Sequence, residues 1–246
     1  MNTVLFDLDG TLLPMEQEDF VKAYFGALGA YMTPYGFEPE ELVKSVWACT
    51  RQMMQNDGSV PNRDRFWSSF VDLCGAEAAA HRADFDRFYS TDFEKARVAT
   101  RVQPLAAECI RILKEKGYRL ILATNPIFPQ AATYARIRWA ELDPADFAWI
   151  TTYENAGYCK PNPGYYAEIL DRVGAEASDC LMIGNDVRED MCAAALGMEV
   201  LLLTDCLIND KGLDVSPFRQ MDFSGLRNFI ADLPDVRQKQ CAPDSV

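Results

Sequence analysis

The sequence predicts an α/β protein whose parallel sheet is covered by helices on both faces and interrupted by an all-helical insertion. Short apolar runs alternate with helical patterns in most of the chain, which is typical of right-handed β-α-β crossovers. Between Pro14 and about Val98 the strand-like runs disappear and helical periodicity takes over. Polar residues directly follow several of the apolar runs. Because ligands bind at the carboxyl ends of parallel strands, these polar residues are the candidates for a functional site.

Composition restricts the kind of protein further. The 246 residues are enough for one large domain or for a domain with a substantial insertion. A hydrophobic content of 49% indicates a sizeable core, and 24 Lys and Arg residues against 37 Asp and Glu residues give a net charge of −13. An acidic surface repels phosphate backbones and anionic lipid, so neither nucleic acid nor a membrane is expected as a partner. A small anion whose charge is screened by a metal is not excluded.

The N-terminal sequence and the cysteines bear on the compartment. The chain begins with MNTVLFDLDG, which lacks the basic and apolar regions of a signal peptide, and no apolar run could cross a bilayer. The eight cysteines include no C-x-x-C pair, which favours reduced thiols and argues against a structural zinc site. A cytoplasmic protein is therefore expected.

The predicted core consists of residues 1–14 and 99–246. Val4 to Phe6 is a short buried strand that ends in an Asp-rich turn. Further strands are predicted at Tyr118 to Ala123, Phe147 to Thr151, Cys180 to Ile183 and Glu199 to Leu203. Helices are predicted at Pro104 to Lys116, Pro163 to Val173 and Phe223 to Leu233, and a frayed tail at Gln238 to Val246.

The insertion, residues 15–98, is predicted to be an α-helical cap subdomain. Its candidate helices are Glu16 to Tyr31, Pro39 to Asn56, Arg63 to Cys74 and Glu77 to Lys95. The insertion contains 14 of the 28 aromatic residues in the chain, so we expect it to bury a core of its own. Two hinges are expected, near residues 12–16 and 96–103.

Two carboxylates follow the first strand. Asp7 and Asp9 stand at positions i and i+2, so they point to the same side while the chain stays extended, and Gly10 permits a sharp exit. On its own this run is equally compatible with an ordinary Asp-Gly turn at the end of a strand.

Three further polar elements follow predicted strands. Thr124 and Asn125 offer a hydroxyl and a backbone N–H to an anion, and Lys160, placed before a helix by two prolines, can neutralise carboxylates or phosphate oxygens. Asp186 and Asp190 are four residues apart and are expected to share one helix face. Asp186 could then reach a metal while Asp190 anchors Lys160. The ordinary alternatives are a strand-to-loop turn, a solvated lysine and an N-cap at Asp186.

In this order the four elements resemble the motifs of the haloacid dehalogenase-like (HAD) superfamily: D-x-D-G-T, a Thr or Ser, a Lys, and G-x-D-x-x-x-D. The resemblance covers about residues 1–14 and 100–204. It implies a Rossmann-like core and phosphoryl transfer. Asp7 would be the nucleophile that forms an aspartyl-phosphate, and Asp9 would be the general acid and later the base.

The same resemblance implies a cofactor and roles for the other residues. Mg²⁺ would be held by the Asp7 carboxylate, the Asp9 backbone carbonyl and Asp186. The catalytic residues Thr124 and Lys160, together with the Asn125 amide, would bind the phosphoryl group. Asp190 would orient the Lys160 side chain.

Departures from the motif pattern separate the branches of the superfamily. The dehalogenase branch lacks the second Asp, which is present here as Asp9, and the transport ATPases carry a Lys where this chain has Leu8. Many relatives place Gly directly before the metal-binding Asp, where this chain has Asn185. An insertion between the first and second motifs matches the subclass with an α-helical cap.

The leading hypothesis is a Mg²⁺-dependent phosphatase acting on a small phosphorylated metabolite. A sugar phosphomutase uses the same core and is the main alternative. A phosphonate-cleaving hydrolase would need a cap lysine, for which Lys22 and Lys44 are available, and a module that only binds phosphoryl groups is a further alternative. His81, the single histidine, is expected to be structural. The sequence identifies neither the substrate nor the oligomeric state.

Overall fold

A six-stranded parallel sheet forms the centre of the computed structural model, which describes residues 1–239. The strands are β1 (Thr3–Phe6), β2 (Arg119–Leu122), β3 (Trp149–Ile150), β4 (Cys180–Gly184), β5 (Glu199–Leu203) and β6 (Arg219–Met221). Their order across the sheet is β3-β2-β1-β4-β5-β6. The first strand of the chain therefore lies in the middle, with two strands on one side and three on the other.

The register brings the ends of the central strands to one edge. Phe6, the last residue of β1, pairs with Leu122 of β2 on one side and with Ile183 of β4 on the other. The residues that follow these three strands consequently emerge side by side. This is the carboxyl edge at which the sequence places its polar motifs.

Helices surround the sheet. They are α1 (Gln17–Met32), α2 (Pro39–Met54), α3 (Asn62–Cys74), α4 (Ala76–Ala79), α5 (Arg82–Ser90), α6 (Pro104–Glu115), α7 (Gln130–Trp139), α8 (Pro163–Val173) and α9 (Phe223–Asp232). Short 3₁₀ helices occupy Thr33–Tyr35, Asp92–Ala99, Pro144–Asp146, Ala177–Asp179, Met191–Leu196 and Val236–Lys239. No helix within residues 1–239 has the length and apolar character needed to span a membrane.

Alternation along the strands divides the core between the two faces of the sheet. Val4 and Phe6 of β1 belong to one buried cluster, whereas Leu5 between them belongs to a second one. Helix α8 covers the second face with Tyr165 and Tyr166, which are both fully buried. Both faces are apolar, as a parallel sheet requires.

The predicted fold class is confirmed, but one predicted helix is wrong and two elements were not predicted. The helix predicted over residues 77–95 is broken into α4, α5 and a 3₁₀ helix. Helix α7 and strand β6 were not predicted. Helix α7 is buried on most sides and so lacks an amphipathic pattern, and β6 is a mostly exposed edge strand with no apolar alternation. The predicted tail lies outside the described residues from residue 240 onward.

The residues between Gln17 and Ala99, which we call the helical segment, pack against the core. Their buried apolar residues form one continuous cluster with those on one face of the sheet. Phe93 stacks on Trp139 of α7 with 5.1 Å between ring centroids, and Phe20 lies 6.2 Å from Phe128. The two connections to the core run together, because the Arg101 N–H donates to the Pro14 carbonyl at 2.9 Å.

Candidate active site

Asp7 is held at the centre of the carboxyl edge. The ladder between β1 and β4 continues through it, since its N–H donates to the Ile183 carbonyl at 2.9 Å. Its carboxylate accepts a hydrogen bond from the Lys160 ammonium, with 2.9 Å between Nζ and Oδ1. The same ammonium donates to Asp190 Oδ1 at 2.6 Å. The structure thus brings together three of the predicted site residues from three separate segments of the chain.

Lys160 is a buried cation between two carboxylates. Its side chain is only 1% exposed. Burial by itself would lower the pKa of Lys160, but the charges of Asp190 and Asp7 raise it well above its ordinary value. Lys160 therefore stays protonated and offsets negative charge at the position where a phosphate would add more.

A glycine makes room for this charge arrangement. A methyl group at Gly184 would lie 2.0 Å from Asp190 Oδ2, which is closer than atoms can approach. The backbone of Asp190 is fixed by a single helical turn, in which its N–H donates to the Asp186 carbonyl at 3.0 Å. Asp190 can consequently reach Lys160 only because residue 184 has no side chain.

Asp186 and Asp190 lie on a turn rather than on the α-helix that the sequence suggested. The following residues, Met191–Leu196, form a 3₁₀ helix. Asp186 Oδ1 accepts the N–H groups of Arg188 and Glu189 at 2.8 Å each, which is the capping role that the sequence left open. One oxygen of Asp186 is thereby engaged, and no hydrogen bond to the other is found within residues 1–239.

The loop after Asp7 is fixed by residues that sequence reasoning did not single out as functional. The Thr11 hydroxyl lies 3.2 Å from Asp7 Oδ2 and 2.9 Å from Asn185 Oδ1. Gly10 has a positive φ of 82°, and a methyl group there would lie 2.3 Å from the Asn185 amide nitrogen. Asn185 therefore supports the Asp7 loop from β4, at the position where the motif departs from its relatives.

Asp9 is paired with a cation that sequence reasoning missed. Arg136 of α7 forms an ion pair with Asp9 through Nη1 and Oδ2. Burial raises the pKa of Asp9, and the Arg136 guanidinium partly opposes this effect. A raised pKa suits a carboxyl group that must donate a proton. Helix α7 lies outside every motif, so no signal in a single sequence identifies Arg136.

Thr124 and Asn125 follow β2 and present free hydrogen-bonding groups. The Thr124 carbonyl accepts the hydroxyls of Thr151 and Tyr165 at 2.7 and 2.8 Å, which fixes the backbone. In the described part of the chain, neither the Thr124 hydroxyl nor the Asn125 backbone N–H makes a hydrogen bond. These two groups are therefore available to an anion.

The Asn125 side chain contacts a glutamic acid that was not predicted to be in the site. Its Nδ2 donates to Glu189 Oε2 at 2.9 Å, and its Oδ1 accepts the Lys160 N–H at 3.3 Å. Burial raises the pKa of Glu189 to about 8, although the charge of Lys160 acts in the opposite direction. Burial thus favours the neutral form of Glu189.

The oxygen atoms of Asp7, Asp9 and Asp186 fit a hard divalent cation. No group of three or more His, Cys, Asp or Glu side chains among residues 1–239 is arranged as a metal site. Mg²⁺, however, needs only one or two carboxylates and takes its other ligands from water and phosphate. The Asp9 carbonyl accepts no backbone hydrogen bond within the described residues. Two oxygen atoms thus stay open to a cation at this edge, the Asp9 carbonyl and the second carboxylate oxygen of Asp186.

The other candidate side chains from the sequence make no hydrogen bond or ion pair with Asp7, Asp9 or Lys160 in the part of the chain that the structure describes. His81 pairs with Asp84 at 2.9 Å within the helical segment, as expected for a structural histidine. Lys22 and Lys44 are exposed, and Lys44 pairs with Glu41 at 2.7 Å. Burial raises the pKa of Cys159, the neighbour of Lys160, to about 12, so this thiol is not a nucleophile at neutral pH.

Comparisons with known proteins agree with this geometry. A family model described as haloacid dehalogenase-like hydrolase matches residues 1–197. Ribulose-1,5-bisphosphate 5-phosphatase of Halopiger xanaduensis is 25% identical over 206 residues, which are 81% of this chain and 83% of the relative. Phosphoglycolate phosphatase 1 of Pseudomonas aeruginosa is 25% identical over 201 residues, 82% of this chain and 68% of the relative. The crystal structure of a 2-haloacid dehalogenase from Pseudomonas syringae pv. tomato has a TM-score of 0.61 at 20% identity, covering 94% of this chain and 98% of that one.

Proposed function

This chain belongs to the haloacid dehalogenase-like hydrolases, and from that premise we propose that it is a Mg²⁺-dependent phosphatase acting on a small phosphorylated metabolite. The observation that carries the proposal is the contact of Asp7 with Lys160, with a second carboxyl group, Asp9, two residues further on. A nucleophile, a fixed positive charge and a separate proton donor are the three groups that phosphoryl transfer to water requires.

Asp9 distinguishes this proposal from dehalogenation. The likeness to a haloacid dehalogenase concerns the fold, which many activities share. A carbon–halogen bond breaks without a proton donor, because halide leaves as a stable anion. An alkoxide leaving group does need a proton, and a carboxyl group with a raised pKa two residues from the nucleophile can supply it.

The reaction would proceed in two displacements. In the first, an Asp7 carboxylate oxygen attacks phosphorus, and the leaving oxygen takes a proton from Asp9 as its bond to phosphorus breaks. In the second, Asp9 takes a proton from water, the water oxygen attacks phosphorus, and the Asp7 carboxylate is released. Lys160 and the free donors of Thr124 and Asn125 hold the phosphoryl oxygens throughout.

The metal would be held by the Asp7 carboxylate, the Asp9 backbone carbonyl and Asp186. When bound, Mg²⁺ neutralises charge on the phosphoryl oxygens and so allows a carboxylate to approach a phosphate. The open oxygen atoms of Asp9 and Asp186 support a hard divalent cation in this role.

Two relatives support a small phosphorylated substrate. Their names describe phosphatases of a sugar bisphosphate and of phosphoglycolate, and both alignments extend over about four fifths of this chain. Neither name transfers a particular substrate at 25% identity.

The first experiment is the hydrolysis of 4-nitrophenyl phosphate by the wild type and by Asp7→Asn, with Mg²⁺ and with EDTA. We expect Mg²⁺-dependent phosphate release that falls by on the order of 10⁴-fold in the variant, since the nucleophile is lost. Asp171→Asn, which removes an exposed carboxylate on α8, is the matched control and should keep wild-type activity.

Two outcomes would contradict the proposal. Activity that survives Asp7→Asn or EDTA would exclude this mechanism. Isomerisation of a sugar phosphate without release of phosphate would identify a phosphomutase instead, and a panel of sugar phosphates followed by phosphorus NMR would detect it.

A further inference from the structure

We propose that Arg136 is a positioning residue for Asp9, whose guanidinium holds one carboxylate oxygen and thereby reserves the other for proton transfer. The inference rests on the proposed phosphatase function and deepens it by assigning the two oxygens of Asp9 different tasks. Arg136 lies on α7, outside all four sequence motifs.

The two oxygens of Asp9 have different surroundings. Oδ2 accepts a hydrogen bond from Arg136 Nη1. Oδ1 is buried and, among residues 1–239, has no hydrogen-bond partner. An unpartnered buried carboxylate oxygen is costly, so its presence next to a nucleophile suggests that its partner is a group that arrives with the substrate.

Arg136 is itself held from several directions. Its Nε lies 3.4 Å from the Ala132 carbonyl oxygen, and its Nη2 lies 3.4 Å from the Thr133 hydroxyl. The guanidinium carbon lies 4.5 Å from the centroid of the Phe128 ring, which is a cation–π contact. The side chain is 1% exposed, so the guanidinium cannot swing out into solvent. A fixed donor of this kind fixes the orientation of the carboxylate that it contacts.

The aromatic ring that covers Arg136 belongs to the contact between core and helical segment. Phe128 lies within 5.3 Å of Tyr24 and 6.0 Å of Phe93, measured between ring centroids. Both of these residues come from the helical segment. Arg136 therefore meets Asp9 from beneath apolar side chains, while the Asp9 side chain itself is 30% exposed on the side of the site.

The assignment fixes where the transferred proton resides. Oδ2 faces an N–H donor, so the proton of the acid form sits on Oδ1. In the first displacement the Oδ1–H bond breaks and its proton passes to the leaving oxygen, while the phosphorus bond to that oxygen breaks and the bond to Asp7 forms. In the second, Oδ1 accepts a proton from water as the water oxygen bonds to phosphorus and the Asp7–phosphorus bond breaks. Arg136 keeps its charge throughout.

The test compares two leaving groups in Arg136→Met and in the wild type. 2,4-Dinitrophenolate leaves without a proton, whereas a simple alkoxide does not. We expect kcat for an alkyl phosphate to fall on the order of 100-fold, because a general acid contributes at least that much, and kcat for 2,4-dinitrophenyl phosphate to fall less than about 10-fold. Arg138→Met, two residues along the same helix and exposed, should change neither rate.

A double variant shows whether Arg136 acts through Asp9. If it does, Arg136→Met added to Asp9→Asn should cause no further loss with the alkyl phosphate, because residues that act as a unit are not additive. Thermal unfolding followed by circular dichroism verifies that each variant is folded. If Arg136→Met does not fold, Arg136→Gln, which keeps an N–H donor but loses the charge, is measured against the same two substrates.

The outcomes separate this inference from the proposed function. Equal losses for the two leaving groups, or additive losses in the double variant, would show that Arg136 is merely structural and would overturn the inference alone. A wild type that hydrolyses neither phosphate would overturn the proposed function and the inference with it.

Discussion

The carboxyl edge of the sheet and the helical segment are stabilised by opposite kinds of contact. All buried charged residues within residues 1–239 lie outside the helical segment; they are Asp7, Arg136, Lys160 and Asp190. The helical segment is held instead by aromatic rings in edge and stacked contacts, such as Phe88 with Phe93 at 6.3 Å between centroids and Phe66 with Phe70 at 5.7 Å. Its buried polar side chains are uncharged.

The two regions therefore differ in which substitutions they tolerate. Charged groups at the edge depend on one another, so the loss of one leaves its partner buried without compensation. Aromatic contacts are numerous and individually weak, so the loss of one ring removes packing but leaves no unpaired charge. We therefore expect changes at the edge to affect catalysis and stability together, and changes in the helical segment to affect mainly stability.

Lys160→Met is the change with the largest expected effect. Without the ammonium, Asp7 and Asp190 face each other across a buried space. We expect the free energy of unfolding to fall by about 3–5 kcal/mol and kcat by about 10³-fold. Urea unfolding and 4-nitrophenyl phosphate hydrolysis measure the two quantities.

Lys44→Met, which removes an exposed ion pair with Glu41, is the matched control and should leave the free energy of unfolding close to the wild-type value. A variant at Lys160 that unfolds like the wild type would show that the edge does not depend on paired charges.

Phe88→Ala tests the other half of the comparison. Phe88 is fully buried in α5, so a cavity of ring size should lower the free energy of unfolding by about 3–5 kcal/mol. With no charge disturbed, kcat for 4-nitrophenyl phosphate should change less than about 10-fold below the melting temperature. Leu73→Ala, at an exposed position of the same segment, serves as the control. A kcat loss as large as that of Lys160→Met would break the distinction between the two regions.

Asn62→Ala tests the contact between the helical segment and the core, and it has the smallest expected effect. This residue begins α3 and is fully buried, and its Nδ2 lies 3.2 Å from the carbonyls of Pro126 and Tyr158 in the core. Loss of these contacts should lower the free energy of unfolding by about 1–3 kcal/mol. Because both loops adjoin the residues that we propose to bind phosphate, KM should rise more than kcat falls. Asn228→Ala, on the exposed side of α9, is the control. An unchanged KM in Asn62→Ala would show that the contacts between α3 and the core do not affect the site.

How much the sequence predicts also differs between the regions. The parallel sheet and the places of Asp7, Thr124 and Asp186 at its edge could be predicted, because a residue within two positions of the end of a buried strand is placed by the register. The turn at Asp190 differs from the predicted helix, yet Asp190 still meets Lys160 as expected.

Arg136 could not be predicted because its role depends on tertiary contacts. Helix α7 is buried around most of its circumference, so it has no polar face that would mark an inward arginine as unusual. The continuous apolar cluster that joins the helical segment to the sheet could not be predicted for the same reason. Aromatic richness predicts burial but does not say which surface the rings will bury against.

Gly184 shows how a site can depend on a residue that has no side chain. Its backbone is an ordinary strand, so conformation alone would accept alanine, and only the position of the Asp190 carboxylate forbids it. A side chain at residue 184 would displace Asp190 and, through the Lys160 ammonium, disturb Asp7. A residue with no chemistry of its own thus constrains three charged residues through the space that it leaves free.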